Sequence, residues 1–227
     1  MSLVHDTLVW LGDKAHYRGA DGIPHRLVEH LGITAGALGI ACLLALPIAV
    51  GLGHTRRFTW LGAAVLSFAN ATRAVPTFAV LVLFAASPIG IGNRATIIAL
   101  SLFAIPPLLT NAFVGVRGVD PDVVEAARGS GMSGAQVLRR VELPLALPLI
   151  AAGFRTAAVQ VVATATLAAY VGGGGLGRLI ADGFGRADPA QTAAGGVLVA
   201  ALALMVEIAL ALVQRMITKG PREARVS

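Results

Sequence analysis

Charged residues are absent from five stretches of this chain, 31–53, 74–93, 95–116, 156–177 and 189–206, and crowd between them. A helix needs roughly 20 residues, at about 1.5 Å each, to cross the hydrocarbon of a bilayer. Each stretch is that long or nearly so. The apolar residues run together instead of alternating with polar ones, which argues against the strands of an outer-membrane barrel. The pattern predicts an all-α, polytopic integral membrane protein. Five spans are placed at about 31–53, 74–93, 95–116, 144–170 and 189–213. Residues 58–72 are apolar too, but end in Asn70-Ala71-Thr72-Arg73 with Pro76 close behind. They form either an interfacial segment or a sixth span, and their length is short for a crossing. Pro106-Pro107 predicts a kink whose freed carbonyls a neighbouring helix or water must satisfy. Residues 1–29, mixed in charge, read as an extracytoplasmic segment, and 214–227 as a cytoplasmic tail.

Composition agrees. The chain is 56% hydrophobic and 13% charged, against about 25% charged residues in soluble domains. Its net charge of +6 raises the question of nucleic acid, but the cations sit in the loops between spans and read as orienting the chain in a membrane. With five spans and the polar stretch 117–143 in the cytoplasm, ten cations lie inside: Arg56, Arg57, Arg117, Arg128, Arg139, Arg140, Arg215, Lys219, Arg222 and Arg225. Six lie outside: Lys14, Arg18, Arg26, Arg94, Arg178 and Arg186. A six-span arrangement also leaves an excess inside, so the rule orients the stretch without fixing the number of spans. Cys42 is the single cysteine and reads as a small core residue. The N-terminus lacks the basic, apolar and small-residue succession of a cleaved signal peptide.

The polar stretch has its own local logic. Asp120 can cap a helix, Pro121 suits its first position, and Asp122 and Glu125 put acids near its positive end. That helix, about 121–128, should stop at Gly129-Ser130-Gly131. Ser133 followed three residues later by Gln136 is a capping box. It starts a second helix that should reach Leu143-Pro144, where the membrane span begins. These residues predict two short helices around a glycine turn. From composition alone, an ordinary basic loop is an equal alternative.

Glu125-Ala126-Ala127, then Gly131, then Val141-Glu142-Leu143-Pro144 resembles the EAA motif of ABC importer permeases, with valine where isoleucine is usual. RAVPTFAVLVLF, VDPDVVEAARGSGM, RRVELPLALPLI and TATLAAYVGGGGLGRLI extend the likeness to the permeases of glycine betaine, choline and carnitine importers. The related methionine permeases share the EAA region and the glycine turn, so the resemblance keeps a methionine-type amino-acid importer as the alternative. The resemblance implies a type I ABC importer permease fold over 30–213, a multi-pass protein of the cell membrane. It implies that Glu125, Ala126, Ala127, Gly131, Leu143 and Pro144 belong to the region coupled to an ATPase. The implied partners are two ATP-binding subunits that carry the ATP and magnesium, a second identical or similar permease, and an extracytoplasmic substrate-binding protein. The chain itself would hold no cofactor and catalyse no reaction. Its substrate would be an osmoprotectant such as glycine betaine, carnitine, choline or proline.

Other candidate chemistry is sparse. Gly172, Gly174 and Gly177 satisfy G-x-G-x-x-G, but follow a membrane helix and not a strand, so they read as a hinge or tight packing. The sequence has no P-loop, and its five histidines show no metal-ligand spacing. Arg155 and Glu207 fall within predicted spans, where charges are paired or face water. They either bridge to each other or helix ends, or line a path. A second hypothesis makes Glu207 the proton site of an ion-coupled transporter. An intramembrane enzyme is the third, with no paired catalytic residues to support it. Asn70, Gln160, Thr164 and Thr166 are candidate path-lining groups. With two tryptophans and two tyrosines, the chain is poor in material for the aromatic cage that a quaternary ammonium favours. This assigns selectivity mainly to the binding protein.

Overall fold

The computed structural model describes residues 2–55, 60, 62, 64, 66, 67, 71 and 74–218. Among them there are helices and turns and no strand, as the hydrophobic pattern predicts. We name the helices in chain order: α1 Leu3–Gly12, α2 Ile23–Thr55, α3 Thr77–Ala85, α4 Asn93–Arg117, α5 Pro121–Gly129, α6 Gly134–Val171, α7 Gly177–Gly185 and α8 Pro189–Thr218. Four of these, α2, α4, α6 and α8, are long and apolar enough to cross a membrane.

Several boundaries differ from the sequence reading. The first membrane helix begins at Ile23, within the segment read as lying outside the bilayer. At 33 residues it rises about 50 Å, more than the hydrocarbon thickness. Residues 74–93 do not form one spanning helix. α3 has nine residues and rises about 14 Å, and turns follow it up to Asn93. Most of 56–73, with Asn70, Arg56 and Arg57, lies outside the described residues, as do the tail cations Lys219, Arg222 and Arg225. The stretch 171–188, read as a loop, contains α7. Residues 2–29 also fold: Trp10 of α1 and Ile23 pack into a cluster with Leu179, Val199 and Leu202.

The main core lies where α4 packs between α2 and α6. Small residues make it. Ile33, Ala37, Ala41, Ala45, Ala49 and Gly53 recur every four residues along α2, and all are buried. Residues four apart share one helix face, so this stripe is a seam of small side chains. Ala104, Leu108 and Ala112 of α4 and Ala157, Ala158 and Val161 of α6 complete the cluster. Gly53 lies against Val116, and Gly153 of α6 against Asn111 and the Pro107 carbonyl of α4. α4 runs on as a helix through Pro106 and Pro107, and Asn111 Nδ2 donates to the Pro107 carbonyl at 2.8 Å.

This packing yields a measurable expectation. A Cβ on Gly153 would lie 2.6 Å from Asn111 Cβ and 2.9 Å from the Pro107 oxygen, whereas one on Gly196 of α8 would meet nothing within 4 Å. Gly153→Val should therefore destabilise the detergent-solubilised protein by about 1–3 kcal/mol. Gly196→Ala should leave it unchanged or slightly more stable. Thermal unfolding of the two variants side by side checks this.

Candidate functional site

Polar groups gather at the two ends of the bundle. At one end α5 and the start of α6 form the helix–glycine turn–helix that the residues predict. Asp120 Oδ1 accepts from the Asp122 amide at 2.9 Å. Pro121 opens α5, and Arg128 sits in its last turn. Gly131 adopts φ +87°, a left-handed backbone that glycine takes without a Cβ clash. The Gly131 amide donates to the Arg128 carbonyl and the Met132 amide to that of Ala127, satisfying carbonyls that the helix end leaves open. Ser133 and Gln136 then exchange both bonds of a capping box.

The module divides its residues between two faces. Val119, Val124, Ala127 and Val137 form its small buried core, with Met132 and Val141 against them. Glu125, Ala126, Gly131, Arg139 and Arg140 are exposed. The two alanines of Glu125-Ala126-Ala127 therefore do different things: Ala126 is on the outer surface, while Ala127 packs inward. Ala135, Gln136, Arg139 and Arg140 line a shallow cleft of ≈ 350 Å³.

No break occurs at Leu143-Pro144. The helix that starts at Gly134 passes through a π turn, Leu138–Glu142, and continues into the membrane helix with α-helical geometry from Leu143 to Thr164. Pro144 supplies the physical cause. It has no amide to donate, and in regular α geometry its ring meets the carbonyl four residues earlier. The wider turn, with the Leu143 amide bonded to the Leu138 carbonyl, accommodates both. The second half of the exposed module is thus continuous with α6.

Two residues that the sequence reading passed over lie at this junction. Glu142 is fully buried, and its Oε2 pairs with Nδ1 of His54 in the last turn of α2. The other Glu142 oxygen, Oε1, is buried without a hydrogen-bond partner among the described residues. A signal existed: Glu142 is the sole acid between Glu125 and Asp182, at the mouth of an apolar run. Its partner, 88 residues away, could not be found from sequence.

At the opposite end the glycine turn 172–175 is tied to two other helices. Gly172 and Gly175 have φ +75° and +88°. The Gly174 amide donates to Asn93 Oδ1 of α4 at 2.8 Å, and the Gly175 amide to Glu29 Oε2 of α2 at 3.1 Å. Glu29 is held in turn by Arg26 at 2.8 Å, and Arg26 also pairs with Asp21. His30, fully buried, donates from Nε2 to the Val162 carbonyl at 2.9 Å. That bond lies close to where α6 tightens to 3₁₀ winding at Ala165. The nucleotide-like glycine spacing therefore belongs to a packed turn.

The remaining candidates sit between the ends. Arg155 Nε lies 3.4 Å from Glu207 Oε1, with both side chains partly exposed. Gln160 and Thr164 share one face of α6, and the Thr164 hydroxyl donates to the Gln160 carbonyl at 2.8 Å. Thr166 is turned to another face and donates to the Ala163 carbonyl at 2.8 Å. The described candidates thus do not converge on one point. The aromatic rings are dispersed as well: Trp10 stacks on His16, and Tyr170 meets Phe78 edge to face. Among the described residues no group of histidine, cysteine and acidic side chains could hold a metal.

Residues 45–220 match the model of a family described as "Binding-protein-dependent transport system inner membrane component". The glycine betaine/carnitine/choline transport system permease protein OpuCB of Bacillus subtilis (strain 168) is 36% identical over 191 residues, 84% of this chain and 86% of that one. The carnitine transport permease protein OpuCB of Listeria monocytogenes is 38% identical over 198 residues, 87% and 89% of the two chains. The osmoprotectant import permease protein OsmW of Salmonella typhimurium is 32% identical, with 96% of this chain and all of that one covered. Among solved structures, an inward-facing MetNI methionine ABC transporter superposes with a TM-score of 0.75 at 23% identity, covering 87% of this chain and 96% of that chain. That likeness carries the fold: a type I ABC importer permease fold.

Gly131 offers a local test. Gly131→Ala forces a side chain into the left-handed region, at a cost of about 1–2 kcal/mol. Gly129→Ala, with open space around its Cβ and no left-handed backbone, should cost nothing comparable. Amide hydrogen exchange should show faster opening of Pro121–Gly129 in the first variant and not in the second.

Proposed function

We propose that this chain, which belongs to the family of binding-protein-dependent transport system inner membrane components, is the path-forming permease of an ATP-driven importer for an osmoprotectant. The substrate class is glycine betaine, carnitine, choline or proline. The names of the relatives, a glycine betaine/carnitine/choline permease, a carnitine permease and an osmoprotectant import permease, support it over the methionine-type alternative.

The observation that carries the mechanism is the exposed module of α5 and early α6, continuous with a membrane helix. Facing the cytoplasm, Glu125, Ala126 and Gly131 would meet an ATP-binding subunit. Ala127, Leu143 and Pro144 would shape the module from behind. Two ATP-binding subunits, carrying ATP and magnesium, and two permeases, identical or similar, would make the transporter, with a binding protein delivering substrate on the far side. Closure of the ATP-binding subunits would draw the two modules together and swing the attached helices as rigid bodies between inward- and outward-open states. The chain itself would perform no chemistry. The tied glycine turn suits a closed outer end, because its bonds join α2, α4 and α6 there.

The Arg155–Glu207 pair weighs against a coupling-proton role for Glu207, since Arg155 already gives that carboxylate a structural partner. The deciding experiment compares variants in cells whose uptake of radiolabelled glycine betaine depends on this transporter. Glu125→Trp and Gly131→Trp should each lower uptake by at least about tenfold, a loss of roughly 1.4 kcal/mol or more in coupling, and release the ATP-binding subunit on purification. Glu207→Gln, which retains a hydrogen-bonding group, should keep most of the uptake. Normal uptake and association in the first two variants, with abolition by Glu207→Gln, would refute the importer reading.

A further inference from the structure

Three membrane helices must answer to one coupling module, and the structure attaches them differently. α4 runs into α5 through Gly118, Val119 and Asp120. α6 is the same helix as the second half of the module. α2 is remote in sequence, and among the described residues a hydrogen bond between His54 and Glu142 joins it to the module. Among the described residues Glu142 is the one fully buried acid. It sits on the π turn, where α6 widens from regular winding at the module, and such turns concentrate at functional sites.

A packed apolar side chain would satisfy this position at less cost. One carboxylate oxygen has no partner among the described residues, and a buried ion pair is often no more stabilising than an apolar replacement. What the pair adds is direction: it fixes one end of α2 to one point on α6. His54 is also close to the second short helix, since a Cβ on Gly134 would stand 3.6 Å from its Nε2. The absence of a side chain at Gly134 leaves the imidazole room.

We propose that His54 and Glu142 are positioning residues that transmit movement of the coupling module to α2. This rests on the importer reading above. When the module shifts, α4 and α6 follow through the backbone. α2 follows through its packing on α4 and, at the module, through this pair, so that three helices move together and the tied outer end is pulled open. Without the pair, α2 would follow by packing alone and lag at the module, and hydrolysis would continue with little import.

The test uses the assembled transporter in proteoliposomes, with its ATP-binding subunit, binding protein and radiolabelled glycine betaine. The variants are His54→Gln, Glu142→Gln and the double variant. Each single variant should import at least about tenfold less substrate per ATP hydrolysed, while the ATP-binding subunit still co-purifies in normal amount. Because the two residues act as one unit, the double variant should be no worse than either single one. Losses that multiply in the double variant would overturn the proposal. So would a normal ratio of import to hydrolysis, or a loss of import that tracks loss of the ATP-binding subunit, which would mark a purely structural role. If Glu142→Gln is not recovered folded, His54→Gln and His54→Asn, at a partly exposed helix end, decide by the same ratio. A wild-type protein that neither binds the ATP-binding subunit nor imports glycine betaine would overturn the importer reading, and this inference with it.

Discussion

Lipid tails are as apolar as leucine, so nothing like the hydrophobic effect in water drives one membrane helix onto another. Close packing must do that work, and it needs small residues that let backbones approach. The alanine–glycine seam of α2 meets this constraint every four residues, and Gly153 and Ala157 of α6 meet it against α4. The other features of the structure depend on this three-helix contact. It brings His54 to Glu142 at one end, and Glu29, His30 and Asn93 to the glycine turn at the other. Larger side chains along the seam would separate the helices and leave those polar groups without partners.

The two ends use polar residues in opposite ways. At the glycine turn, backbone amides are bonded by side chains from two neighbouring helices, so the turn is tied to α2 and α4. At the other end the exposed module carries its own small core and is fused to α6 by a widened turn. One end is held and the other is presented. The proposed import cycle would use such a division, with a handle on one side and releasable contacts on the other. The bonds at the glycine turn suit release, being few and located where side chains remain partly exposed.

Much of this was legible because local rules and the membrane constraint are strong. Asp120, Pro121, Gly131, Ser133 and Gln136 each favour one backbone geometry, and the structure has each of them there. Apart from 74–93, the charge-free runs fall within the four long helices or within a few residues of them, and the run 95–116 marks both ends of its helix to within two residues. The failures have physical causes. Helices α2 and α8 continue beyond the apolar run, since polar residues are as free to be helical outside the hydrocarbon as apolar ones within it. Residues 74–93 look like a span by hydropathy, yet the helix ends at Ala85 where Ser87-Pro88 and Gly90 begin a turn. Pro144 looked like a helix start because proline so often is one. Here a π turn absorbed it.

By itself the sequence determined that the chain lies in a membrane, where its helices fall, and how the helix–turn–helix module is built. These follow from hydropathy and from backbone preferences that act over a few residues. Only the tertiary structure decided which residues meet across long separations. That Ala127 faces inward while Ala126 faces out depends on the partners that cover α5. That Glu142 is buried and paired with His54, and that Glu29 and Asn93 hold the glycine turn, depends on helices brought side by side by packing. A carboxylate reads the same in sequence whether it faces water or an imidazole, and the difference arises when the fold removes the water.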